Sequence, residues 1–191
     1  MGPSHTEGAS DINPLDISVE PFKENQDVLR FTCGNRDLDE FLTTEEVKRY
    51  EVQGLGKTYL VYLEGHLVAY FTVCNDSLRV EYLKKTKSFS KSAELIVDSY
   101  PAVKIGRLAT AMEWQRRGIG RAVVAYIARA ALESGARFGV RLLIVEAKPE
   151  SITFYERCGF ELTFETARER GRKNRTMFLD LQDLRSLLPN E

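Results

Sequence analysis

One short stretch, Gln115-Arg116-Arg117-Gly118-Ile119-Gly120-Arg121, gathers three guanidinium groups around two glycines. From Ile119 onward apolar residues recur at Val123, Ile127 and Ala130, the spacing of a helix face, so the glycines open a helix. Without a Cβ, Gly118 and Gly120 let successive backbone N–H groups turn toward a ligand, and the positive end of the helix dipole adds to their pull. Such a terminus cradles anions. Arg116, Arg117 and Arg121 bring charge for several phosphate oxygens, which suits a diphosphate better than a lone carboxylate. The spacing is not the dinucleotide fingerprint, which needs a third glycine and an acid ending the next strand, and it is not a P-loop. A second reactive group, the phenol of Tyr155, lies downstream in Phe154-Tyr155-Glu156-Arg157-Cys158-Gly159-Phe160.

The elements that position these groups can be read from the residues between them. Val103 to Thr110 alternates as a strand, with Gly106 marking a bend or a close backbone approach. The helix opened at Ile119 runs to about Ser134, and Leu142 to Ala147 reads as a fully buried strand. Pro149 starts a short helix that Gly159 ends. A strand, a helix and a second strand in this order predict a right-handed crossover with the two strands parallel.

Gln115, Gly118 and Gly120 resemble the acyl-CoA loop of the GNAT N-acetyltransferase superfamily, whose pattern is Gln or Arg, any two residues, Gly, any residue, then Gly or Ala. The loop follows Arg107-Leu108-Ala109-Thr110, where that family commonly has Leu-Ala-Val. Tyr155-Glu156-Arg157-Cys158-Gly159-Phe160 is similar to the family's Tyr-Glu-Lys-x-Gly-Phe ending. The resemblance covers roughly residues 55 to 181. It implies an α/β (α+β) fold: a mixed, mostly antiparallel twisted sheet with helices on both faces and a central parallel strand pair that splays at a bulge, where Gly106 stands.

The resemblance further implies acetyl-CoA as acyl donor and direct transfer to an amine in a ternary complex, without a covalent enzyme intermediate. The amine must be neutral to attack, the oxyanion needs an N–H donor, and the leaving thiolate needs a proton or a positive field. By position, backbone N–H groups of Leu108, Ala109 and Thr110 face the pantetheine and the carbonyl. Gln115, Arg116, Arg117, Gly118, Ile119, Gly120 and Arg121 form the diphosphate loop. Tyr155 matches the tyrosine near the CoA sulfur; with a phenol pKa of about 10 against about 8.5 for a thiol, it is the weaker acid, and donates either a proton or only a hydrogen bond. The general base is not legible: Glu146 on the second strand and Glu113 before the loop could each order a water, or could both face solvent. Where the family often has Asn, seven residues before Tyr155, this chain has Lys148, which reaches a CoA phosphate or water.

The acceptor is expected to be a primary amine of a small molecule, peptide or protein. A second reading is aminoacyl-tRNA, because Cys33-Gly34-Asn35-Arg36-Asp37-Leu38-Asp39-Glu40-Phe41-Leu42 is also similar to the start of a GNAT subgroup that includes tRNA-acetylating toxins. The same residues read simply as an amphipathic helix with Asn35 as N-cap. A third reading is a non-catalytic acyl-CoA-binding module, against which an intact Tyr155 speaks. A tRNA ligand calls for a basic face. The formal net charge is −1, so such a face must come from clustering, and Arg168, Arg170, Arg172, Lys173 and Arg175 are the available source. That loop reads equally as solvated. The resemblance leaves a homodimer open.

At 191 residues with 43% hydrophobic content the chain fits one domain, residues 15–191, after a disordered tail at 1–14. No run approaches the roughly 20 apolar residues of a membrane span, and the N-terminus is not a signal peptide, so a cytoplasmic protein is expected. Cys33, Cys74 and Cys158 lack paired spacing and only two histidines occur, which argues against disulfides and a metal site. His66 falls in Glu64-Gly65-His66, the turn of a predicted hairpin. A polar insert at 80 to 100, with Lys84, Lys85, Lys87 and Lys91 and a short helix around Glu94 to Val97, reads as a solvated loop or an acceptor-side lid.

Overall fold

Seven strands, five α-helices and three single-turn 3₁₀ helices account for the regular structure among the described residues, which in this computed structural model are 16–83, 86, 89, 97–164 and 171–185. In chain order the strands and α-helices are β1 (Ser18–Pro21), α1 (Arg36–Thr43), α2 (Glu46–Val52), β2 (Lys57–Leu63), β3 (His66–Arg79), β4 (Ser99–Thr110), α3 (Ile119–Phe138), β5 (Leu142–Ala147), α4 (Ile152–Arg157), β6 (Glu161–Leu162), β7 (Arg175–Asp180) and α5 (Leu181–Arg185). One sheet takes the order β1-β2-β3-β4-β5-β7-β6. Every neighbouring pair is antiparallel except β4 and β5, which are parallel and joined through α3. This is the fold class that the motif resemblance implies.

Local chemistry explains the main joints. Glu64 and Gly65 both hold left-handed backbone, φ 51° and 81°, the two-residue turn that matches strand twist and closes the β2–β3 hairpin. The Asn35 side chain accepts a hydrogen bond from the Leu38 N–H and caps α1, whose Phe41 and Leu42 are fully buried. Tyr70 on β3 donates its hydroxyl to the Leu38 carbonyl at 2.7 Å, which locks α1 onto the sheet.

Leu142 to Val145 are buried on both faces, as expected of a central strand in a parallel pair. Leu143 and Val145 join Val123, Ile127 and Leu181 under α3 and α5, whereas Leu142 and Ile144 join Leu83, Phe89 and Phe178 on the other face. A separate cluster of Phe41, Val47, Leu60 and Tyr70 lies beneath α1 and α2 on that second face. Each such side chain contributes about 1.5–3 kcal/mol on leaving water.

Several boundaries differ from the sequence reading. β3 continues to Arg79 and β4 begins at Ser99, because Asp76 to Arg79 pair with Ser99 to Ala102 while Leu78 and Ala102 pack into the core. β6 is only two residues long, and α3 extends to Phe138. The 1–14 tail, Lys84, Lys85, Lys87, Lys91, most of the helix expected near 94–97, and Arg168 and Arg170 lie outside the described residues. No helix among the described residues is long and apolar enough to cross a membrane.

Candidate active site

The parallel pair separates halfway along β4. Ala102 to Ile105 pair with Leu142 to Val145, and beyond that register β4 pairs only with β3 while β5 pairs only with β7. A bulge at Gly106 coincides with the parting: Thr72 opposes Arg107 and Val73 opposes Ile105, leaving Gly106 as the extra residue. A Cβ there would stand 2.8 Å from Thr72 Oγ1, so the strand bends where only glycine fits. The extra residue also resets the alternation. Ile105 packs with the α3 cluster, Arg107 lies on the opposite face with its guanidinium 3.7 Å over the Phe41 ring, and Leu108 returns to the α3 side.

The glycine loop is built as the sequence suggested. Gly118, at φ 85°, caps α3 with no side-chain hydrogen bond to the first turn, and Arg116 also holds left-handed backbone, at φ 61°. The uncapped N–H groups of that turn are therefore available to an anion. A cleft of about 700 Å³ opens in front of them, lined by Thr110, Arg116, Gly118, Gly120 and Arg121 and, from α4, by Thr153, Phe154 and Arg157. No carboxylate lines it. Gly120 packs against Phe154, since a Cβ at 120 would meet two ring carbons at 3.1 Å and the ring would have to give by a few tenths of an ångström. Uncapped N–H groups, cations on both walls and a floor that a side chain at 120 would fill all suit a diphosphate-bearing cofactor.

Not every residue expected in this loop reaches the cleft. Arg117 stacks over Trp114, 5.1 Å from its ring, and does not line the cleft. Gln115 does line the cleft, and it spends both amide protons on main-chain carbonyls, of Cys33 at 2.8 Å and Thr110 at 3.1 Å, and so braces the loop against the segment leading into α1. Ile119 is fully buried, which leaves its N–H as the only part offered to a ligand. Ala109 is buried among the α1–α2 cluster, and Lys148 follows β5 without lining the cleft.

Tyr155 does not line the cleft and is buried in the core beneath α3. It is 7% exposed and meets Phe154 and Phe160 edge-on, with ring centroids 5.0 and 5.3 Å away. Burial, and then the neighbouring Cys158 thiol, push its pKa well above that of a free phenol. Its hydroxyl makes no hydrogen bond among the described residues, so a protonated donor is held without an internal acceptor. Phe154 packs against the α3 cluster and also forms part of the cleft wall.

On the second face of the sheet the carboxylates are paired. Glu146 lies 2.7 Å from Lys104, which also stands 3.8 Å from Asp76, and Glu46 lies 3.4 Å from Arg107. Burial alone would lower the Lys104 pKa, but the hydrogen bond to Glu146 and the Glu146 and Asp76 charges together raise it. Glu113, on the turn after β4, is exposed. His66, read from the sequence as a turn residue, is instead the first residue of β3, opposite Leu63 and 6.1 Å from the Trp114 ring. Sequence reasoning missed Thr153 and Arg157; their spacing of four on α4, with Phe154 between, was the available signal.

Comparison with known proteins places these features in a wider context. A family model described as an acetyltransferase (GNAT) domain matches residues 54–162. The chain is 22% identical over 138 residues to a tRNA-acetylating toxin from Mycobacterium tuberculosis, covering 72% of this chain and 80% of that one. The structure of AtaT complexed with acetyl-methionyl-tRNAfMet superposes with a TM-score of 0.75 at 24% identity, over 90% of this chain and 99% of that one. AtaTR bound with acetyl-CoA gives 0.70 at 25% identity, over 90% and 98% of the two chains.

Proposed function

We propose, because this chain belongs to the GNAT family of acetyltransferases and takes its acetyl group from acetyl-CoA, that its acceptor is the α-amine of an aminoacyl-tRNA. The observation that carries this reading is the pairing of Glu146, Asp76 and Glu46 with Lys104 and Arg107. A lysine side chain, with pKa about 10.4, is neutral in under a thousandth of molecules at pH 7 and needs a strong base; an α-amine, at about 7.7–8.0, is neutral in roughly a tenth and needs little help. Carboxylates held by cations fit an acceptor of the second kind. Glu146 then serves to fix Lys104 rather than to remove a proton.

That the α-amine belongs to a charged tRNA is supported by the similarity to the mycobacterial toxin, which extends over more residues than the 54–162 domain match. A free peptide or small-molecule α-amine is the second reading, favoured by the formal net charge of −1.

The chain's own residues have separable tasks here. The α3 terminus with Arg116 and Arg121 binds the diphosphate, and Gly106 keeps β4 and β5 apart so that main-chain N–H groups of Leu108 to Thr110 can hold the acyl arm. Tyr155 retains its proton and donates a hydrogen bond where the thiolate charge develops. Acetyl-CoA supplies the activated acetyl group.

Salt dependence tests the tRNA reading. Arg172 and Lys173, both exposed beside β7, are placed to meet phosphates. Filter binding of charged tRNA across a salt series should give a log–log slope of several units, and Arg172→Ala and Lys173→Ala should each lower it by about 0.7 to 0.9, the share of one phosphate neutralised. A flat salt response in the unaltered protein would remove tRNA as the acceptor.

A further inference from the structure

We propose that Arg157 is a cofactor-specificity residue whose guanidinium binds the 3′-phosphate of CoA and so distinguishes CoA from 3′-dephospho-CoA. The inference rests on the reading of the glycine loop as the diphosphate site, and it begins with a shortage of cations there. Three loop arginines would cover all the phosphates of CoA, but Arg117 stacks over Trp114 and lies outside the cleft. The α3 N-terminus, Arg116 and Arg121 remain, enough for a diphosphate carrying two charges. CoA also carries a phosphate monoester, close to doubly ionised at neutral pH because its second pKa is about 6.

The third cation of the cleft comes from α4. Thr153 and Arg157 are one helical turn apart and line the cleft together with Phe154. Phe154 fixes how closely α4 approaches the loop, since its ring lies at contact distance from the place a Gly120 Cβ would occupy. Arg121 is near enough to Cys158, the residue after Arg157, for its charge to act on the thiol. Arg157 is exposed and makes no ion pair among the described residues. It stands across the cleft wall from the loop that would take the diphosphate, and no carboxylate among the described residues lines that cleft.

Calorimetry with CoA and 3′-dephospho-CoA tests this. The unaltered protein should bind CoA about tenfold more tightly than the dephospho form, as one charge-assisted contact provides. Arg157→Ala and Arg157→Gln should bind CoA about tenfold more weakly, leave 3′-dephospho-CoA unchanged, and so abolish the preference. A preference retained in both variants overturns the assignment, as does an equal weakening for both ligands. Failure of the premise looks different: a folded Gly120→Val protein that binds CoA normally would remove the diphosphate site itself.

Discussion

Tyr155→Phe should keep acetyl-CoA affinity within a few fold while kcat falls roughly 10²- to 10³-fold, the range for one positioned hydrogen-bond donor at a developing charge. The separation of the two effects follows from when the charge appears. Negative charge reaches the sulfur only as the C–S bond breaks, so a donor aimed at that sulfur acts mostly in the transition state. Burial raises the Tyr155 pKa and makes the phenol a poorer acid, but it also keeps the proton in place and strengthens each hydrogen bond made in a dry environment. The phenyl ring keeps its edge-on contacts with Phe154 and Phe160, so the fold should survive. Because Tyr155 has no internal acceptor among the described residues, removing its hydroxyl leaves no orphaned partner in the core. Steady-state kinetics beside calorimetry would check this. An unchanged kcat would assign Tyr155 to packing.

Gly120→Val should reduce acetyl-CoA affinity by about 10²-fold or more. Even a Cβ at this position stands 3.1 Å from two Phe154 ring carbons, tighter than ordinary contact, and the added methyl groups must either displace that ring or project into the cleft. Displacing a packed ring costs about 1–3 kcal/mol. Projecting into the cleft blocks the approach of a diphosphate to the first turn of α3. Gly120→Ala should show a milder form of the same effect, since the ring must yield only a few tenths of an ångström. Calorimetry on protein shown to be folded by its thermal melt is the measurement, and normal affinity in the valine variant would move the cofactor elsewhere.

What could be read from the chain, and what could not, divides along physical lines. The glycine loop, the Glu64-Gly65 turn, the Asn35 cap and the strand break at Gly106 were legible because each is a local requirement on backbone conformation. The role of side chains around the cleft was not. Arg116 and Arg117 are adjacent in sequence, yet one lines the cleft and the other turns to Trp114, because the left-handed backbone at Arg116 rotates the chain between them. Arg157 was hidden in a motif where Tyr155 drew the interest, although a six-residue helix presents both faces.

Glu146 illustrates a further limit. As a carboxylate on the strand beside the reaction cleft it qualified as a base, and only the parallel register brings Lys104 to 2.7 Å from it. Gln115 likewise meets Cys33, far away in sequence, through tertiary packing that no spacing announces. The continuation of the β3–β4 pairing through Asp76 to Arg79 was missed for a related reason: of these four residues only Leu78 packs into the core, too little periodicity to announce a strand.

The central claim, acetyl transfer to the α-amine of a charged tRNA, is tested most directly by following the acetyl group itself. Purified protein would be given acetyl-CoA with aminoacyl-tRNA and, in parallel, with deacylated tRNA, a short peptide and a free amino acid. Nuclease digestion and mass spectrometry would then read the aminoacyl-adenosine. The account predicts N-acetyl-aminoacyl-adenosine from the charged tRNA and no acetylated product from the deacylated one. CoA release with the peptide or the amino acid, while the aminoacyl-adenosine stays unmodified, would contradict it.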